Sequence, residues 1–304
     1  MKILIILLTM SFNLYGQIVL EDVVHSQKVS DDEIIEAEYT PLKENIYSEQ
    51  IERNQVSSMD DLLRLTPGAT TSRGPRSNSE SPQVRGLESD KLAITVDGVT
   101  RSFQQGHSTM IPINFDEMKS VEVDKTNLDL SLSNSISGGI KFTSKTPADY
   151  LKGNNKTVTV FKKRYSSANR EDATFAKTAF KVGAASSLLS LNRTSAADMR
   201  LNNGQTLENS AFEDLNAENK WSYRNFVFSL KYFERNEQTP LDPTLNPPGS
   251  LQSLIGDSQI KITTANLQYK KENFKVSLHQ ERTESLKIRE EDNREDYRNL
   301  ETTG

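Results

Sequence analysis

The chain has 304 residues, 35% of them hydrophobic and 26% charged, with a formal net charge of -5 and no cysteine. That length fits two ordinary domains, and that composition belongs neither to a helical membrane bundle nor to a disordered chain. Mild acidity without a long basic stripe gives no support for nucleic-acid binding, and the missing cysteines exclude a disulfide framework.

The chain opens "MKILIILLTMSFNLYGQ". Lys2 is a positive start, residues 3–10 form an apolar core, and Gly16 is a small residue before Gln17. This is the layout of a secretory signal peptide over 1–16, cleaved near Gly16. The apolar run is much shorter than the ~20 residues a spanning helix needs. No later stretch reads as a spanning helix, so residence in a membrane would have to come from strands.

Residues 17–50 begin "QIVLEDVVHSQ", with a short β-prone patch at Val23 and Val24. A charged, loosely patterned linker follows. "SSMDDLLRLTPG" is sharper. Ser58 can cap a helix with Asp61 as its box partner. Met59, Leu62, Leu63 and Leu65 form the apolar face, and Pro67-Gly68 ends it. The Ser/Gly/Pro-rich stretch after Gly68 reads as a loop. Leu92, Ile94 and Val96 then alternate with Ala93 and Thr95, predicting a half-buried strand. Asp97-Gly98 turns the chain. A polar loop carries Gly106 and His107. "FDEMKSVEVDK" predicts a helical turn running into a strand at Val121–Val123, and Gly138-Gly139 precede a strand at Ile140–Thr143. Residues 51–150 thus read as a small mixed α/β domain.

Beyond residue 153 the texture changes. "KTVTVFKKRY", "TFAKTAFKVGA", "SSLLSLNRTS", "WSYRNFVFSLKYF", "QIKITTANLQYKK" and "FKVSLHQERTES" are dyad-patterned runs separated by polar loops. That is the pattern of transmembrane β-barrel strands, with Trp221, Tyr223, Phe226, Phe228, Tyr232, Phe233 and Tyr269 available as interfacial aromatics. A soluble β-sandwich alternates too, and periodicity alone leaves both open.

In combination, these pieces resemble a TonB-dependent outer-membrane receptor. "DDLLRLTPGATTSRG" is similar to the first helix of its plug domain, "VRGLESDKLAITVDGV" to the plug's Arg-Gly element, strand and Asp-Gly turn, and "SVEVDK…SISGGIKFTSKTPADYL" to its closing strands. "GHSTMIPINFDEMKSVEV" looks like the Gly-His loop of the haem and haemoprotein receptors. The stretch "DKTNLDLSLSNSISGG" departs from the family pattern and keeps only Gly138-Gly139. The resemblance implies an α+β plug domain over 51–150, followed over 151–304 by the first strands of an incomplete antiparallel transmembrane β-barrel. It also implies an outer-membrane location among lipids.

Roles follow from the same resemblance. Leu20, Glu21, Asp22, Val23 and Val24 are expected to add a strand to a TonB-type energy-transducing partner. Arg85, Gly86, Asp97, Gly98, Gly138 and Gly139 are expected to be plug scaffold, with Arg85 and Asp97 holding loops and the barrel wall. His107 would ligate haem iron, and Gly106 would let its loop turn. His25 is expected to be solvated and His279 to lie on a barrel strand facing the lumen or an interface. The implied cargo is haem, a haemoprotein or another iron chelate such as a ferric siderophore. A non-transporting plug-like chain is the alternative from a different class. No nucleophile–base set, phosphate loop or carboxylate pair stands out, so no enzyme activity or catalytic cofactor is expected.

The roughly 150 residues after the plug supply about six or seven strands, against about 22 in a plugged transporter. The expectation is therefore a fragment of a longer receptor or a truncated product.

Overall fold

A computed structural model describes residues 43–72, 78–87, 91–101, 111–125, 138–240, 255–271, 274–289 and 295–303. The first part holds strand β1 (Lys43–Tyr47), helices α1 (Ser48–Arg53) and α2 (Met59–Leu63), and strands β2 (Ala69–Ser72) and β3 (Ser81–Val84). Then come β4 (Ala93–Val96), β5 (Val99–Thr100), β6 (Met118–Asp124), β7 (Gly139–Ser144) and helix α3 (Pro147–Tyr150). Five of these strands form one sheet in the order β1-β6-β7-β4-β5, in which β4 and β7 are parallel.

Helix α2 forms where its cap dictates. Asp61 N–H donates to Ser58 Oγ at 3.1 Å, and Ser58 N–H donates back to the Asp61 carboxylate at 3.2 Å. This reciprocal cap satisfies two end donors of a helix too short to persist alone. Its apolar face, Met59, Leu62 and Leu63, is buried, with Leu65 packed against the same core. The core also takes Ile46, Ile51, Ile94, Val121, Val123, Ile140 and Phe142. Phe115, in a 3-10 turn before β6, meets Phe142 edge to face at 6.3 Å. The alternation at 92–96 predicts a half-buried strand, yet Ala93, Ile94, Thr95 and Val96 are all buried. A second layer covers the small sheet, so both faces of β4 are closed.

Two glycines permit the β4–β7–β6 seam. Gly138 has φ +118°, and a Cβ there would collide with the Asp124 carbonyl; one on Gly139 would lie 2.8 Å from Ala93 O. Only glycine allows so close a backbone approach.

The second layer is a large antiparallel sheet. Its strands are β8 (Thr157–Ser166), β9 (Glu171–Val182), β10 (Ala185–Ala196), β13 (Phe212–Tyr223), β14 (Phe226–Pro240), β15 (Ile255–Lys271), β16 (Phe274–Arg289) and β17 (Glu295–Thr303). A small hairpin of β11 (Met199–Arg200) and β12 (Thr206–Leu207) sits between β10 and β13. The sheet holds eight strands, more than the six or seven expected, because its hairpins at one end use only two residues, as between Val182 and Ala185 and between Tyr223 and Phe226. Longer connections lie at the other end.

The two faces of this wall are inverted relative to a soluble sandwich. Toward the small domain it presents polar and charged groups, among them Lys177, Ser190, Glu218, Lys220, Ser229, Arg235, Thr264 and Asn266, all buried. Away from it project Phe161, Leu191, Trp221, Phe228, Leu230, Leu267 and Leu278, all exposed. Pairing puts Trp221, Phe228, Leu267 and Leu278 in one row across β13–β16, near the short turns. Nearer the long connections, the outward row reads Glu213, Asn236 and Gln259. An apolar outer band, aromatic at its short-turn border and polar-lined within, fits a lipid-facing barrel wall. This resolves the choice between barrel and sandwich. Among the described residues no helix is long and apolar enough to cross a membrane.

Candidate functional site

Among the described residues, four polar fastenings hold the small domain to the wall beside the apolar contact of Leu151 with Ala179 and Leu188, and a cavity opens between them at the long-connection end. The first fastening is the Asp97-Gly98 turn. Both residues take positive φ, +54° and +86°, which suits the tight two-residue hairpin between β4 and β5. The Asp97 carboxylate accepts from Ser144 N–H at 2.9 Å, Ser144 Oγ–H at 2.5 Å and Lys231 Nζ at 2.9 Å. Lys220 Nζ stands 3.6 Å away. The Asp97 carbonyl accepts from Asn266 Nδ2 at 3.2 Å and from Gln268 Nε2. Burial pushes the Asp97 carboxyl upward, but Lys231, Lys220 and the Ser144 hydrogen bonds outweigh it and hold the group far below the usual carboxylate range.

Arg101 makes the second fastening. Its guanidinium reaches Thr264 Oγ1 at 3.2 Å and the Glu281 carboxylate. Burial lowers its pKa to about 10, against the opposing pull of Asp97 and Glu218. The third is Asp116, whose carboxylate takes Lys162 and Arg164 and whose carbonyl accepts Lys177 Nζ at 2.9 Å. The fourth is Asn78, which donates to Glu237 at 2.8 Å and Thr239 at 2.9 Å. Beside them Glu117, half-buried, lies next to Glu218. Burial first, and then Glu218, raise its pKa, with Lys177 and Lys231 opposing.

The cavity measures about 630 Å³, within the range of small-molecule sites. The wall lines it with Phe175, Phe212 and Phe233, and Met199 of β11 joins them; Phe233 therefore faces inward, not outward with the interfacial aromatics, because it falls on the same face of β14 as Ser229 and Arg235. The small domain contributes Ile111, Ile113 and the acidic side of α2 with Glu80. Arg235 lies over Phe212 at 4.3 Å while its fork meets Asp214 through two 2.6 Å bonds. Among the described residues no group of three or more His, Asp or Glu could hold a metal.

The residues singled out in the sequence fall as follows. Arg85 and Gly86 form a two-residue turn with φ +54° and +77°, closed by Val84 N–H to Leu87 O at 3.1 Å and its reverse at 3.0 Å. Arg85 N–H donates to Gly68 O at 2.9 Å, and its side chain is exposed. Asp97 and Gly98 lie at the wall, and Gly138 and Gly139 in the sheet seam. His279 pairs across the sheet with Asn266, on the face turned toward the small domain. Leu20, Glu21, Asp22, Val23, Val24, His25, Gly106 and His107 lie outside the described residues. The wall partners Lys220, Lys231, Asn266 and Gln268 escaped the sequence reading, as did Asn78, Arg101, Asp116 and Glu80. The available signal was charge at inward positions of strands whose alternate residues are aromatic, as in "NKWSYRNFVFSLKYF".

Residues 39–140 match the model of the TonB-dependent Receptor Plug Domain family. The chain is 31% identical over 137 residues to transferrin-binding protein A of Haemophilus influenzae, covering 40% of this chain and 15% of that protein. It is 26% identical over 218 residues to a hemin receptor of Yersinia pestis, covering 69% of this chain and 32% of that one. The chain therefore spans less than a third of the length of these relatives. In fold it is similar to the FrpB iron transporter of Neisseria meningitidis, with a TM-score of 0.67 at 18% identity over 86% of this chain and 44% of that one. It is also similar to the Serratia marcescens hemophore receptor HasR, solved with its hemophore HasA and heme, with a TM-score of 0.66 at 15% identity over 82% of this chain and 38% of that one.

Proposed function

We propose that this chain, which carries a TonB-dependent receptor plug domain, works in an outer-membrane receptor that captures an iron-containing ligand and passes it inward under the drive of a TonB-type partner. The favoured ligand is haem, free or delivered by a haemoprotein. The observation that carries the reading is the docking of a plug onto the polar face of a wall whose other face is apolar. Likeness to proteins named as haem receptors and transferrin-binding proteins supports the ligand class.

The division of labour follows from the geometry. The plug sits against the inner side of the wall, held there by the contacts of Asp97, Arg101, Asp116 and Asn78. The cavity lies at the long-connection end, where a ligand arriving from outside first meets the plug. Ile111, which lines that cavity, follows the loop of Gly106 and His107 in sequence. His107 is assigned as a haem-iron ligand and Gly106 as the residue that lets its loop turn. Leu20–Val24 is assigned as the strand offered to the partner in the periplasm, and pulling there would draw on β1, the edge of the plug sheet. Transport rather than covalent chemistry is the output, and haem is cargo rather than a resident cofactor.

Titration of haem into outer-membrane vesicles bearing the receptor tests the reading. Saturable binding with a shifted haem absorption band is expected, absent from vesicles lacking the receptor. No haem binding, with saturable binding of a ferric siderophore instead, would move the cargo to the siderophore class.

A further inference from the structure

The cavity is unbalanced in charge. Among the described residues its lining holds six carboxylates, on Asp60, Asp61, Glu80, Asp116, Glu171 and Asp214, against three guanidiniums, on Arg64, Arg164 and Arg235, and no lysine. Each guanidinium already faces a carboxylate. Arg64 pairs with Asp60; Arg164 meets Asp116 at 3.0 Å and Glu171 at 2.9 Å; Arg235 meets Asp214 at 2.6 Å. Asp61 accepts from the backbone of Ser57 and Ser58 as the helix cap. Lys162, just outside the lining, also pairs with the Asp116 carboxylate. Among the described residues the cations are thus committed, and six carboxylates stand against four cations, so the excess charge is negative. Across from it the cavity is apolar, with Phe175, Phe212, Phe233, Met199, Ile111 and Ile113.

We infer that the cavity selects by charge, admitting the neutral or cationic apolar face of a ligand and turning away anionic groups. A haem would enter by the ring edge opposite its propionates, leaving both propionates toward the long-connection opening. This rests on the receptor reading above and adds the ligand's charge class and orientation. The physical basis is that fixed charges in a half-buried cavity are weakly screened, so each carboxylate disfavours a nearby anion by on the order of tenfold in affinity.

Glu80 gives the effect a pH range. It faces Asp60 and Asp61 of α2, and Arg235 of the wall, which Asp214 holds. Burial, then Asp60 and Asp61, push its carboxyl up to about 7, opposed by the Met59 N–H and Arg235. Below that pH the cavity is less negative; above it, Glu80 adds its charge.

The test compares haem with haem dimethyl ester, the same ring without the two negative charges, on the intact receptor in detergent. The ester should bind more tightly than haem, on the order of tenfold. Glu80→Gln should strengthen haem binding relative to the ester, with the variant's melting temperature reporting on folding. In the unaltered receptor, raising the pH from about 6 to about 8 should weaken haem relative to the ester, as Glu80 ionises. Tighter binding of haem than of ester, unmoved by Glu80→Gln or pH, would overturn the inference and leave the receptor reading standing. Failure of both to bind would bring down the haem reading and the inference with it.

Discussion

Lys231 Nζ, on wall strand β14, lies 2.9 Å from the carboxylate of Asp97, at the tip of the plug's β4–β5 hairpin. Lys220 of β13 approaches the same carboxylate at 3.6 Å and is itself 3% exposed. Asp97 shares these two lysines with Glu218 of the wall, which lies 3.4 Å from each. Removing Asp97 leaves both bases against one carboxylate. Asp97→Ala should cost about 3 kcal/mol, the low end of the usual penalty for breaking a buried charge pair. Urea-induced release of the plug, followed by limited proteolysis, measures it; a loss below about 1 kcal/mol would mean the turn is held by its backbone contacts alone.

The same carboxylate fixes a pH signature. Its folded pKa is depressed, so its contribution is fully present above the unfolded value of about 4 and is lost only as pH falls through the lower folded value. The Asp97 fastening should therefore hold without change from neutral pH to about pH 4. Protease sensitivity of the β4–β5 hairpin across that range checks it; a rise in sensitivity near neutral pH would contradict it.

Glu80 has the opposite sign. Its folded pKa, pushed up to about 7, lies above its ordinary 4.5. The folded plug therefore binds more protons than the unfolded chain between those values, and stability falls as pH rises through that window. Glu80→Gln should raise the melting temperature at about pH 8 and leave it nearly unchanged at about pH 4. Equal effects at both would place the cause in packing rather than ionisation.

His107→Ala should weaken haem binding by at least about tenfold and change the haem absorption spectrum, while the melting temperature stays put, since a loop substitution typically shifts stability by under about 0.5 kcal/mol. An unchanged spectrum and affinity would remove His107 from the site.

Val23→Pro takes away a backbone donor in the segment assigned to the partner. Haem binding should survive at full affinity while uptake is lost. Normal uptake by the proline variant would rule out strand addition at that position.

The capped helix at Ser58 was legible because its cue is local: a hydroxyl, a carboxylate three residues on and an apolar face. The strands around Val121–Val123 and Ile140–Thr143 were equally so, though β6 begins three residues earlier than expected, at Met118, and β7 extends one residue beyond each side of the expected span, from Gly139 to Ser144. What stayed hidden was non-local. Nothing near Asp97 in sequence announces Lys231 or Gln268, which lie 134 and 171 residues away. The complete burial of β4 was missed for the same reason, since the layer that closes its second face comes later in the chain. The orientation of the wall needed the plug as a reference: alternation says that two faces differ, and only the position of the buried lysines says which face is inside.

Energised uptake through a plugged receptor is tested most directly by the accumulation of radio-iron-labelled haem in matched cells with and without the TonB-type partner. With the receptor present, accumulation should require the partner, while surface binding at low temperature should be the same in both strains. Accumulation that proceeds equally without the partner, or that never exceeds cells lacking the receptor, would contradict the account.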